Sequence, residues 1–363
     1  MRLLLFSLLL ISATLHSIGQ QKINSPKDQF EKLASTIPQW MTQFDVPGIS
    51  VAVINNGAIV WYQVFGKQQL EVPANEKTLF LSASIAKPMT AEVCLRLATL
   101  GKIQLDEPMA QYWLDPDIAQ DKRAQLLTPR HVLTHQTGFK NWRYMTGGKL
   151  QFEWTPGTKM GYSGEGFRYL VRFLEKKLGK PFNEIAQEVL FTPTGMQNAC
   201  FTYQEWCKDR LAWAYLPDST WSAPRKVENA LGAGGLRITA EDYAKFILSV
   251  MNDTKVSDQL REEQFTVSLN QYEHCKKSAT VSEACPRNIG FGLGWYVYSF
   301  EDEKVIGHTG ANRAERALTV FSPETKNGLV VMSYGYNGNH VIYRIAEAVG
   351  IHPSFIAIEK PKK

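Results

Sequence analysis

Beyond its first 19 residues the sequence has no apolar run near the roughly 20 residues that a membrane-spanning helix needs. It also lacks a basic block. Lys and Arg total 40 against 35 Asp and Glu, and the net charge of +5 is spread along the chain, which argues against nucleic acid as a partner. Cysteine is scarce, with five in 363 residues, and the seven histidines are scattered. Without a ligand-spaced Cys/His cluster a zinc site is excluded, and no metal or cofactor is expected. No internal repeat and no low-complexity segment interrupts the chain.

What is present begins with Arg2, an apolar run from Leu3 to Ile11 broken only by Ser7, and small residues near Ser17 and Gly19. That pattern predicts a signal peptide over 1–19 and a secreted or periplasmic protein whose remaining residues, 20–363, form a single domain. The first cysteine is Cys94, so no lipid-attachment cysteine lies beside the cleavage region. Cys94 sits among apolar residues and reads as a buried thiol. Cys200 with Cys207, and Cys275 with Cys285, are close pairs in polar, loop-like sequence. In an oxidising compartment both are expected to close as short disulfides, although spacing alone does not fix connectivity.

The apolar positions Phe30, Leu33, Ile37 and Met41 recur at helical spacing. Two strands follow, 49–54 and 58–65, joined at Asn55-Asn56-Gly57, where Asn-Gly supplies the positive φ of a tight hairpin turn. A further helix behind Ser84 is expected to stop at Gly101. From about 105 to 228 the texture becomes helices and long loops, with a capped start at Thr128-Pro129, a glycine-rich turn around 157–166, and helices over 167–178 and 181–191. Strand signals return over 290–298, 305–311, 317–321 and 328–333, and a closing helix is marked by Val341, Ile342, Ile345 and Val349. The order implies an α+β fold: an antiparallel sheet flanked by helices, with a mostly helical insertion over roughly 105–228.

Ser84-Ile85-Ala86-Lys87 carries the chemistry. It is the one S-x-x-K in the chain. Three apart at the mouth of a helix, the two side chains share a face, and a serine hydroxyl needs such a neighbouring base to become a nucleophile. Ile85, Met89, Val93 and Leu97 would bury the helix behind them, and a lysine at the edge of a buried helix loses its proton more easily. His135, at a short helix-to-loop junction, reads as a hydrogen-bonded structural residue rather than a base.

Ser84-Ile85-Ala86-Lys87, then Tyr162-Ser163-Gly164, then His308-Thr309-Gly310 appear in that order, and with them the chain resembles the serine β-lactamase-related family. That family includes class C β-lactamases, D-Ala-D-Ala carboxypeptidases, esterases and D-aminopeptidases. The resemblance runs from about Asp28 to Gly350 and takes in Leu133–Gly138 and Pro193–Met196. It implies that Ser84 is acylated, that Lys87 relays its proton and that Tyr162 is a phenolic acid or base. It also implies that Ser84 and Ala311 donate their N–H groups to an oxyanion, while His308, Thr309 and Gly310 border the cleft and help hold a substrate carboxylate. Two departures stand out: Gly164 replaces the asparagine, and His308 the lysine, of class C β-lactamases. The implied protein is an exported serine hydrolase acting on an ester, amide or D-amino-acid peptide and weak on β-lactams. Its alternative is a penicillin-binding or sensing protein that turns over slowly. In either case the partner is a small molecule or peptide.

Overall fold

The computed structural model describes residues 26–252 and 254–360. The expected signal peptide, 1–19, lies outside the described residues. The first helix, Pro26–Gln43, leads into a hairpin of strands Gly48–Asn55 and Ala58–Gln69. Asn56 and Gly57 both take positive φ, 49° and 74°, as the two-residue turn demands.

These strands form one half of an eight-stranded sheet, and the other half comes from the end of the chain. Written by residue number the order is 72–73, 58–69, 48–55, 328–334, 315–321, 304–311, 296–299 and 288–291, with every pairing antiparallel. Alternate residues of the central strands enter different cores. Val51, Val53, Leu329 and Val331 face helices 26–43 and Gly338–Ala348, while Ala52, Ile54, Val330 and Met332 face the helical segment between the sheet halves. Burial on both faces explains why these strands read as nearly continuous apolar runs. The expected strand over 290–298 divides into Asn288–Phe291 and Tyr296–Ser299, because Gly294 turns the chain with φ 88°.

Helix Ala86–Thr99 runs through the larger core and carries a buried ion cluster. Glu92 accepts from Arg96 Nε at 3.1 Å, and Arg261 reaches it with two nitrogens at 3.0 Å. Burial alone would push this carboxyl up, but Arg261 and then Arg96 outweigh it, so its pKa is lowered and the cluster stabilises the fold until acid protonates it. Glu92→Ala removes the carboxylate that both guanidinium groups share and is expected to cost about 3–5 kcal/mol in denaturant unfolding. A loss below about 1 kcal/mol would show that the cluster contributes no stability.

Cys275 and Cys285 form a disulfide, and Cys94 is a buried thiol, both as expected. The other expected bridge is corrected: Cys200 and Cys207 are separate, buried thiols. Cys207 Sγ donates instead to the Gln204 carbonyl at 2.8 Å, and burial, with Cys207 as neighbour, pushes the Cys200 thiol up to about 12, which starves exchange of its thiolate. No helix among the described residues is long and apolar enough to cross a membrane.

Candidate active site

Ser84 sits in a single tight turn, Ala83–Ile85, that feeds directly into helix Ala86–Thr99. Ala83 is held at φ 48°, a region a non-glycine residue enters at a cost, so the packing around it must fix the turn. Two contacts supply that packing. Ser82 N–H donates to the Leu236 carbonyl at 3.0 Å, and strand Lys304–Ala311 crosses so close that a Cβ on Gly310 would lie 2.7 Å from the Ser82 carbonyl oxygen. Gly310 is glycine because the backbone preceding the nucleophile leaves no room.

Lys87 is fully buried one turn on. Its Nζ donates to Ser84 Oγ at 3.1 Å and to the Ala233 carbonyl at 2.7 Å. Burial lowers its pKa from the usual lysine range to about 7. The Ala233 carbonyl lies in the 231–235 loop, which Thr90 ties down through the Gly232 carbonyl at 2.9 Å.

Tyr162 completes the cluster. Its side chain lines the same cavity as Ser84, and Lys87 Nζ stands 4.8 Å from its ring centroid. Burial pushes the phenol up, offset only in part by Ser84, so at neutral pH it holds its proton. The neighbours fix its place. Ser163 caps helix Gly164–Leu178 by accepting from Gly166 N–H at 3.1 Å, and Ser163 N–H donates to His135 Nδ1 at 3.1 Å. The His135 ring stacks on Tyr162 at 4.3 Å. Burial, then the Lys87 charge, lowers the His135 pKa well below its ordinary range, in keeping with a structural role.

His308 comes from strand 304–311, and its Nδ1 is 2.7 Å from the Thr309 carbonyl. A carbonyl only accepts, so Nδ1 carries the hydrogen and Nε2 is an acceptor, buried without a partner among the described residues. Burial, then the Lys87 charge, lowers its pKa to about 3. A carboxylate would need a charged ring; neutral His308 suits a donor instead.

Ser84, Tyr162, His308, Thr309 and Ala311 line one cavity of about 370 Å³. Gly164 and Gly310 are not among its lining residues. The space that a side chain at 164 would fill is taken by the Trp142 ring, 2.5 Å from where its Cβ would sit. Asn141, absent from the sequence reading, lines the cavity and accepts from Gly164 N–H at 2.8 Å through Oδ1, leaving its amide nitrogen as the unengaged end. Phe291, Tyr296, Tyr298 and Glu359 complete the lining, and no motif marks any of them.

A profile of the β-lactamase family matches residues 33–348. The chain belongs to the β-lactamase family. Members of this family are serine hydrolases, and so is this protein. A β-lactamase of Pseudomonas fluorescens is 25% identical over 281 residues, 73% of this chain and 74% of that one. The D-alanyl-D-alanine-carboxypeptidase/endopeptidase AmpH of Escherichia coli is 20% identical over 360 residues, 91% of each. Among solved structures, a class C β-lactamase mutant superposes with a TM-score of 0.73 at 18% identity, covering 90% of this chain and 98% of that one. The family member described here shares with it the β-lactamase/transpeptidase fold.

Proposed function

We propose that the protein is an exported hydrolase that works through an acyl-enzyme on Ser84, acting on esters, amides or D-amino-acid peptides and weakly on β-lactams. A single catalytic domain over 20–363, with its helical insertion over about 105–228, belongs to the same proposal. The observation that supports it most directly is Lys87 Nζ at 3.1 Å from Ser84 Oγ with a pKa near neutrality. Neutral Lys87 takes the hydroxyl proton as Ser84 Oγ bonds to the substrate carbonyl carbon. The N–H groups of Ser84 and Ala311 receive the developing oxyanion. On collapse the bond to the leaving group breaks, Tyr162 gives that group its proton and regains one from Lys87. Water then repeats the sequence on the acyl-enzyme and releases the acid.

A fluorophosphonate is expected to label wild-type protein once, at Ser84, as read by intact mass and peptide mapping. Full labelling of Ser84→Ala would defeat the assignment. Ser84→Ala should also lose turnover by several orders of magnitude, keeping what binding and the oxyanion site contribute.

The weakness on β-lactams is argued from charge. Penicillins and cephalosporins carry a carboxylate, yet the cavity lining contains no lysine or arginine, His308 is neutral and Glu359 is acidic. A missing charged hydrogen bond is worth about 1.5–3 kcal/mol, or about one to two decades in kcat/KM. Small neutral esters such as p-nitrophenyl acetate should therefore exceed nitrocefin in kcat/KM. Nitrocefin turnover near the diffusional range would overturn this, and a burst of nitrocefin acylation without steady turnover would favour the slow penicillin-binding alternative.

A further inference from the structure

The cavity reaches beyond the reacting groups, and the far part has a character of its own. Phe291 packs on Tyr162 with ring centroids 6.1 Å apart, Tyr296 packs edge-on against Phe291 at 4.7 Å, and Tyr298 packs against Tyr296 at 4.9 Å. The first strand of this hairpin and the start of the second thus present a continuous run of aromatic rings from the Tyr162 hydroxyl outward. At its end stands Glu359, on the last described helix, Pro353–Glu359. Tyr298 donates its hydroxyl to Glu359 Oε1 at 2.6 Å. Glu359 forms no ion pair with a lysine, arginine or histidine among the described residues, although it is half-buried in the cavity wall.

A carboxylate in that position is costly to maintain without a counter-charge. Several buried acids of this protein are ion-paired: Glu92 with Arg96 and Arg261, Glu165 with Arg143, and Asp242 with Lys245. We propose that Glu359 and the aromatic run beside it form a subsite for a primary ammonium group carried by the substrate, away from the bond that is cleaved. Aromatic faces attract cations, the carboxylate supplies a charged acceptor, and the Tyr298 hydroxyl fixes one carboxylate oxygen so that the other can meet the ligand. Burial pushes the Glu359 carboxyl above its ordinary range, with the Tyr298 hydrogen bond offsetting part of the shift. A bound ammonium provides the opposite charge that the described residues of the cavity wall do not supply. The inference rests on the acyl-enzyme reading and narrows its substrates to cationic amines, against the anionic substrates that the lining disfavours.

The test compares matched esters that differ in charge at one end. One pair places the amine on the alcohol side, 4-(aminomethyl)phenyl acetate against 4-ethylphenyl acetate. The second places it on the acyl side, p-nitrophenyl 4-(aminomethyl)phenylacetate against p-nitrophenyl 4-ethylphenylacetate. In the wild-type full chain at least one cationic ester should exceed its neutral partner about 10- to 100-fold in kcat/KM, mainly through KM, and Glu359→Gln should bring that ratio close to one. Tyr298→Phe should lower it part of the way. Ratios near one for both wild-type pairs, or a cationic preference that Glu359→Gln leaves intact, would overturn the subsite. If Glu359→Gln does not fold, the wild-type ratios together with Tyr298→Phe decide. Failure of the underlying reading looks different: no ester of either charge would be hydrolysed and Ser84 would not be labelled.

Discussion

Lys87→Met and Tyr162→Phe are each expected to lower kcat by about 10² to 10⁴, and the double variant by little more than the worse of the two. The reason is that both side chains belong to one cluster with Ser84: Lys87 Nζ donates to Ser84 Oγ and stands 4.8 Å from the Tyr162 ring centroid. A proton leaving Ser84 through one of them reaches the leaving group through the other. Once either link is gone, the second has no proton to pass. Steady-state kinetics on a small ester completes the cycle. Losses that multiply would mean that the two act independently and that no relay joins them.

The second large effect is one of pH. Because burial brings Lys87 to about 7, kcat/KM should follow its neutral fraction, falling about tenfold for each pH unit below 7 and levelling above it. The sign follows from the role: protonation removes the base, so acid inactivates. No other group in the cluster should confuse the limb. Burial lowers His308 to about 3, His135 lies well below its ordinary range and Tyr162 is pushed up, so all three are displaced away from the Lys87 limb. At pH 5 the rate should be about a hundredth of the plateau, and Lys87→Met should flatten what activity survives. A flat wild-type profile across that range would show that neutral Lys87 is not the base.

How much of this was legible beforehand differs from residue to residue. The hairpin at 55–57 could be read because Asn56 and Gly57 tolerate positive φ, and the helix after Ser84 because its apolar spacing is sustained. Ser84, Lys87 and Tyr162, which the fold brings together, stand out in the sequence because each carries its chemistry in its side chain and stands in a spaced motif. The Ala233 carbonyl could not be found that way, since every residue offers a carbonyl and only the fold decides which one meets Lys87. Glu359 is a single acid far along the chain, ordinary until the last helix lays it against Tyr298. The helix over Ala240–Asn252 escaped notice beside the stronger motif signals. The Cys200–Cys207 bridge was inferred from spacing and compartment, and the direction in which Cys207 Sγ points cannot be read from either.

The sheet's two halves have a further consequence, for the order of events as the chain folds. Gly48 pairs with Tyr334, and the Gly310 strand that braces Ser82 lies in the second half. Nearly the whole polypeptide must therefore be made before the central pair of strands can zip. Such non-local pairing slows folding more than it weakens the product, because the entropy of closing a loop grows only slowly with its length. Helices of the middle segment form from local contacts and can wait, but the nucleophile's turn lacks one of its two braces until the late strands arrive. On refolding from denaturant, helical signal should return first and hydrolytic competence last.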